Sequence, residues 1–210
     1  MNPDFDKKDR KDFLIQMYQQ LCSEIDRHIK IIWQIVGVLI SAFAIFALVE
    51  KDVISIDIAS TILVLVCGLS VAIVIESNFW YNRNLLIIAN IERQFLKESD
   101  ANDIHFYFTK HRKDNAYIDM MLIQIIFVAI LAFVILFYHF SVQVLPFMNL
   151  ESSEFVPIKS IPYLVFIFVV WRLILFHKKR IRNYNSFKQN SPGIEITNSD
   201  GFSSNSDHTT

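Results

Sequence analysis

Glycine is scarce in this chain, four residues in 210, against 19 phenylalanines. Tight hairpin turns and bulges call on glycine for positive φ, so the shortage argues against a turn-rich β architecture and for long helices. Cysteine occurs only as Cys22 and Cys67. One falls in a predicted cytoplasmic helix and the other in a predicted span, so a disulfide between them is not expected, and no oxidised secreted fold is indicated. The chain has no glycine-rich phosphate loop, no Gly-x-Ser-x-Gly elbow and no Cys/His spacing of a metal site. Its six histidines, His28, His105, His111, His139, His177 and His208, are scattered over different segments. A net charge of −1 gives no bulk attraction for nucleic acid. These absences predict a non-enzymatic protein with no catalytic residue, cofactor or metal.

What the chain does have is apolar length. Hydrophobic residues make up 53% and mean hydropathy is +0.35. A bilayer core takes about 20 apolar residues of helix. Four stretches reach that length: 31–49 without charge, 53–75 with only Asp57, 120–140 without charge, and 157–177 with Lys159 and Arg172. The last opens on Pro157 and Pro162, which a first helical turn tolerates. The N-terminal 30 residues are polar and charged, and no short apolar stretch with a cleavage site follows, so the first run reads as an uncleaved anchor. The expected fold is all-α: four transmembrane helices with amphipathic cytoplasmic helices. Its domains are 1–30 (cytoplasmic helix), 31–76 (hairpin), 77–119 (cytoplasmic helical segment), 120–177 (second pair) and 178–210 (a basic, then disordered tail).

Lys and Arg set the orientation, because cationic flanks stay inside. Six lie before the first span, six between the second and third, and six from Arg172 onward; the two remaining loops hold one each, Lys51 and Lys159. Both termini are therefore expected in the cytoplasm. Trp33, Trp80 and Trp171 fall near the inner boundary, where indole rings prefer to sit. The outer face is small: a turn over Glu50-Lys51-Asp52 and a loop over 141–160.

On the cytoplasmic side, Leu14, Tyr18, Leu21 and Ile25, continued by His28 and Ile32, recur at alternating spacings of four and three. That is one stripe of a helix. A second stripe leaves span two through Phe79, Trp80, Ile87, Ile88, Ile91 and Phe95. Ser99 or Asp100 is placed to cap a short helix over 101–110. Two apolar stripes on one side of a membrane need covering. They either pack on each other or form an assembly face for a second copy or a cytosolic partner, with Leu14, Tyr18, Leu21 and Ile25 at its centre. The basic segment 110–113 sits at a membrane boundary, where anionic lipid is the simplest partner. From Asn183 onward the chain is rich in Ser, Asn, Asp and Thr and reads as disordered.

Polar residues inside the spans are the candidate site. Asp57 is an intramembrane acid, though near its helix start it can reach outer water and is favoured by the helix dipole. Arg172 lies about 9 Å of helix before Lys178 and needs an acid; Glu76 at the inner end of span two is the expected partner. Gln34, Gly37, Ser41 and Ala44 share one face of span one, and Thr61, Gly68 and Ala72 one face of span two, ending at Glu76. Small residues so spaced let helices approach closely; an aqueous path lined by Gln34 and Ser41 is the alternative. Gln124 and His139 in span three read as isolated formers of interhelical hydrogen bonds.

The Arg-Asn-x-x-x-His pattern of HEPN ribonucleases starts at Arg83-Asn84 and at Arg182-Asn183 but ends on Ile88 and Phe187, which removes it. A different resemblance covers residues 9–98. A charged amphipathic helix leads into a two-span hairpin with a three-residue outer turn. A long helix with Trp80-Tyr81-Asn82-Arg83-Asn84 and Ile91-Glu92-Arg93 follows. This order resembles the SLATT-type two-span membrane modules of bacterial conflict systems, which implies an oligomeric pore-forming effector. The whole resembles small four-span bacterial inner-membrane proteins. The expected function is a self-associating membrane effector, or the anchor of a cytosolic system. The alternative is a small transporter or channel using Gln34, Ser41, Asp57 and Arg172.

Overall fold

Long apolar periodicity produces long helices. The computed structural model describes residues 7–106, 117–119, 121–147 and 157–191. Among these lie α1 (Lys7–Ala42), α2 (Ala44–Glu50), α3 (Ile56–Glu92), α4 (Leu122–His139) and α5 (Ile161–Gln189). Short 3-10 turns at Glu98–Asn102, Leu145–Phe147 and Pro157–Ser160 and a π turn at Phe140–Val144 complete the described structure, which has no strand. α1 and α2 are one run interrupted at Phe43, where Phe43 N–H donates to Ile40 O at 3.2 Å and Phe46 N–H to Phe43 O at 3.0 Å. Four helical stretches have the length and composition to cross a membrane: Lys8–Glu50, Ile56–Glu92, Leu122–Val144 and Pro157–Gln189.

Several boundaries differ from expectation, each for a local reason. The first hairpin turn is longer than Glu50-Lys51-Asp52, because α2 ends on Glu50 and α3 starts only at Ile56. Asp52 N–H donates to Val49 O (3.0 Å) and Val53 N–H to Leu48 O (2.9 Å), with Asp52 at φ 54°. That is a Schellman closure with its left-handed residue in place. Ser55 then caps α3, its Oγ accepting from Ile58 N–H at 3.3 Å. Past α3, the expected helix over 101–110 is a 3-10 turn whose entry Asp100 ties by accepting from Lys97 N–H at 2.7 Å. Ser, Asp and Asn compete with helix by bonding local backbone, and residues 103–106 are not α-helical. The fourth helix begins at Ile161 after a 3-10 turn and carries on to Gln189, so the stretch from Asn183 is helical as far as that residue. Met120, residues 107–116 (with the basic segment 110–113), 148–156 and the tail from 192 lie outside the described residues.

The chain divides into two compact units. The first draws on α1 up to Ile29, α3 from Asn78, the segment to Ile118, and α5 from Ile181. Its core is Ile25, Leu85 and Ile88, flanked by Tyr18, Leu21, Cys22, Tyr81 and Ile118. Each fully enclosed Leu or Ile there is worth about 1.5–3 kcal/mol. Asn82, enclosed within α3, clamps the segment before α4: its Nδ2 donates to Ile118 O at 2.8 Å and its Oδ1 accepts from Ile118 N–H at 2.7 Å. Tyr184 is fully buried edge-on against Tyr117, and Arg83 lies over both the Trp80 and Phe187 rings. These aromatic anchors hold the end of α5 despite its polar composition.

The second unit holds residues Lys30–Ser77 and Asp119–Arg180. Ile35, Leu39, Leu63, Cys67, Val74, Val128, Ala132 and Ile135 form its core. The apolar window of α3 is 44% buried, against 12%, 28% and 6% for the other three stretches. α3 is therefore the axis, and the other helices keep most of their apolar surface outward.

Candidate functional site

His139 is the last residue of α4 and is fully buried. Its two ring nitrogens each meet a polar group from another helix. Nε2 lies 2.9 Å from Asp57 Oδ1, and Nδ1 lies 2.9 Å from the Tyr163 hydroxyl. A carboxylate oxygen only accepts, so Nε2 carries the hydrogen and Nδ1 is left to accept from Tyr163 O–H. If both nitrogens are protonated, the Tyr163 hydroxyl must donate elsewhere, and Leu136 O stands 3.5 Å away. The site can thus hold an imidazole in either protonation state by rotating one phenol hydrogen.

Each member is placed by its helix. Asp57 sits in the first turn of α3 and His139 at the C-terminal end of α4, ends whose dipoles favour a negative and a positive charge respectively. Tyr163 stands in the first turn of α5. A π turn follows His139 directly, widening the chain where α4 ends. Beside Asp57 a small cleft of about 160 Å³ opens between Thr61, Ile158 and Ile161, and the Asp57 side chain keeps 14% of its surface exposed. His139 is the enclosed member of the chain, between a partly exposed acid and a partly exposed phenol.

The remaining candidates do not converge on this site. Glu76 pairs with Arg180 rather than with the expected Arg172. Arg180 shares a helix face with Phe176, over whose ring its guanidinium lies. Arg172 lies two turns before Arg180 on the same face of α5 and is exposed, with no ion pair among the described residues. Gln34, Gly37, Ser41 and Ala44 are all exposed along one side of the α1–α2 run, and nothing lies within 4 Å of a Cβ built on Gly37. Thr61, Gly68 and Ala72 face inward instead; a Cβ on Gly68 would sit 2.4 Å from Val169 Cγ1.

The stripe expected as an assembly face is largely used within the chain. Tyr18 and Leu21 pack with Ile25 on Leu85 and Ile88, and the Tyr18 hydroxyl donates to Glu92 Oε1 at 3.1 Å. Leu14, half-buried, and Tyr18 also border an open groove with Ile15, Ile91 and Phe106. Glu92 and Asn84, polar residues of α3, are buried.

Sequence reasoning found Asp57 but not its partners, since His139 lies 82 positions away and Tyr163 a further 24. One signal was there to use. With four alternating spans, the start of the second, the end of the third and the start of the fourth fall at the same membrane face. No protein-family model, curated protein or solved structure matches this chain.

Proposed function

We propose that this chain is a four-span integral membrane protein with both termini in the cytoplasm. It self-associates through the outward face of α1 and α2, and acts as a membrane effector or as the anchor of a cytosolic, defence-type system. The observation that carries this reading is the exposure of Gln34, Gly37, Ser41 and Ala44 together. A glutamine amide facing lipid has no hydrogen-bond partner, which is costly. Small residues at this spacing let a second helix come close enough to supply one. The charge pattern supports the orientation, with six cations in each inner segment and one in each outer loop. The inner membrane of a bacterium is the membrane proposed. The transporter reading finds less support: Gln34, Ser41 and Arg172 are exposed, while Asp57 is bonded to His139, so one chain lines no path with them.

Light scattering on the nanodisc-reconstituted protein tests the reading. Wild type is expected as a defined oligomer and Gly37→Leu/Ser41→Leu as a smaller species. Leu21→Asp/Ile25→Asp, which strikes packing inside the first unit, is expected to unfold that unit rather than to dissociate the assembly. A monomeric wild type would end the proposal.

A further inference from the structure

Within the second unit, α3, α4 and α5 leave a long furrow of about 410 Å³ unfilled. Its lining runs from Val64 to Ile75 on α3 and from Phe166 to Lys178 on α5. At 1.5 Å per residue these are about 16 Å and 18 Å. One leaflet of a bilayer core is about 15 Å thick, half of the full ~30 Å. The furrow exists because small residues stand where larger ones would fill it: Gly68 on α3 and Ala129 and Ala132 on α4. Gly68 also lets Val169 approach, which seats α5 close against α3.

The walls are almost entirely apolar until one end, where Asp119, His177 and Lys178 gather. Lys178 is exposed and has no ion pair among the described residues. The His177 Nδ1 is buried without a hydrogen-bond partner among them. Asp119 is engaged in a contact of its own. An apolar tube one leaflet long that ends on a lysine and an unsatisfied imidazole nitrogen has the complement of a lipid. A hydrocarbon chain fits the walls, and a phosphate accepts from both Lys178 and a protonated His177 Nδ1.

We infer that this furrow binds one acyl chain of an anionic phospholipid of the cytoplasmic leaflet, with the phosphate held at His177 and Lys178. The inference rests on the membrane placement proposed above, with the C-terminal end of α5 inside. Native mass spectrometry of the full chain in mild detergent, given phosphatidylglycerol or phosphatidylcholine of equal chain length, tests it. One phosphatidylglycerol per chain is expected to survive activation that strips phosphatidylcholine. His177→Ala/Lys178→Gln is expected to lower the retained fraction about fivefold or more. Ala129→Phe, which blocks the furrow and leaves the charged end intact, should lower it as well; the double variant at the exposed end covers the case that Ala129→Phe misfolds. Lys11→Gln, the same charge change on exposed α1, should leave it unchanged. Equal retention of both lipids, or retention indifferent to the His177/Lys178 change, overturns the inference. Flotation with vesicles separates the two readings. A chain that does not float fails the membrane placement itself, whereas one that floats but holds no phosphatidylglycerol fails only the furrow.

Discussion

At His139 every hydrogen-bonding group of a fully buried side chain is committed, so the size of each loss depends on what is left behind. Tyr163→Phe removes one hydrogen bond and leaves an imidazole nitrogen unpaired, a loss of about 1–2 kcal/mol. His139→Leu takes away the donor to the partly exposed Asp57 and the acceptor of Tyr163 together, a larger loss of about 2–3 kcal/mol. Thermal unfolding in detergent should therefore rank wild type above Tyr163→Phe and that above His139→Leu; equal melting of all three would remove the clamp. Cys22 offers a second test at this scale. Burial, reinforced by the charges of Glu92 and Asp26, raises its thiol above the ordinary 9.0, while a hydrogen bond with Tyr18 works weakly the other way. The thiolate is the nucleophile, so alkylation should be slow at pH 8 and keep quickening beyond pH 9. Glu92→Gln should shift that rise to lower pH. Because the folded chain disfavours the thiolate, stability contributed at this residue falls as pH climbs past 9.0. A rise in rate centred below pH 9 in wild type would contradict the burial. Neither site was fully legible in the sequence. Asp57 stood out as a charge in an apolar run, but a buried histidine looks like any other until its partners are in place.

Two glycines set apart the inward and outward faces of the helices. Gly68 meets Val169 so closely that an added methyl would land 2.4 Å from its Cγ1, whereas Gly37 meets nothing within 4 Å. Gly68→Ala should cost about 1–3 kcal/mol by overpacking, and Val169→Ala in the same chain should recover part of it. Gly37→Ala should leave unfolding of the single chain unchanged, because any cost falls on contacts with a second copy. Identical melting of Gly68→Ala and wild type would mean that α3 and α5 do not meet here. At the hairpin, Asp52 holds a left-handed conformation that disfavours side chains. Asp52→Gly should be neutral or stabilising by up to about 1 kcal/mol. The four long helices were readable because length and apolarity are properties of a segment alone. The helix starts at Ile56 and Ile161, and the end at Gln189, were not. They depend on a Schellman closure, a 3-10 turn, and the burial of Tyr184 against Tyr117, all of which are contacts rather than compositions. The Glu76 pairing was misread in depth: Arg172 and Arg180 flank Phe176 by four residues each on one face of α5, and Glu76 meets the one two turns nearer the C-terminal end.

For the molecule as a whole, cation placement and apolar run length make one joint statement, and it can be tested without disturbing the fold. Lys51 lies in the turn between α2 and α3 and Lys179 on the exposed side of α5, positions that the proposed topology puts on opposite sides of the bilayer. The native thiols give little background, since Cys67 is buried and Cys22 half-buried. A membrane-impermeant maleimide applied to intact spheroplasts should label Lys51→Cys at once and Lys179→Cys only after lysis. The reverse pattern would invert the orientation and would place the His177–Lys178 end of the furrow against the outer leaflet. Labelling of both variants in sealed cells would leave the two positions on one side, which three crossings between them forbid, and the four-span reading would fall with it. The expected pattern puts the Asp57–His139–Tyr163 chain at the outer face and the His177–Lys178 end of the furrow at the inner leaflet.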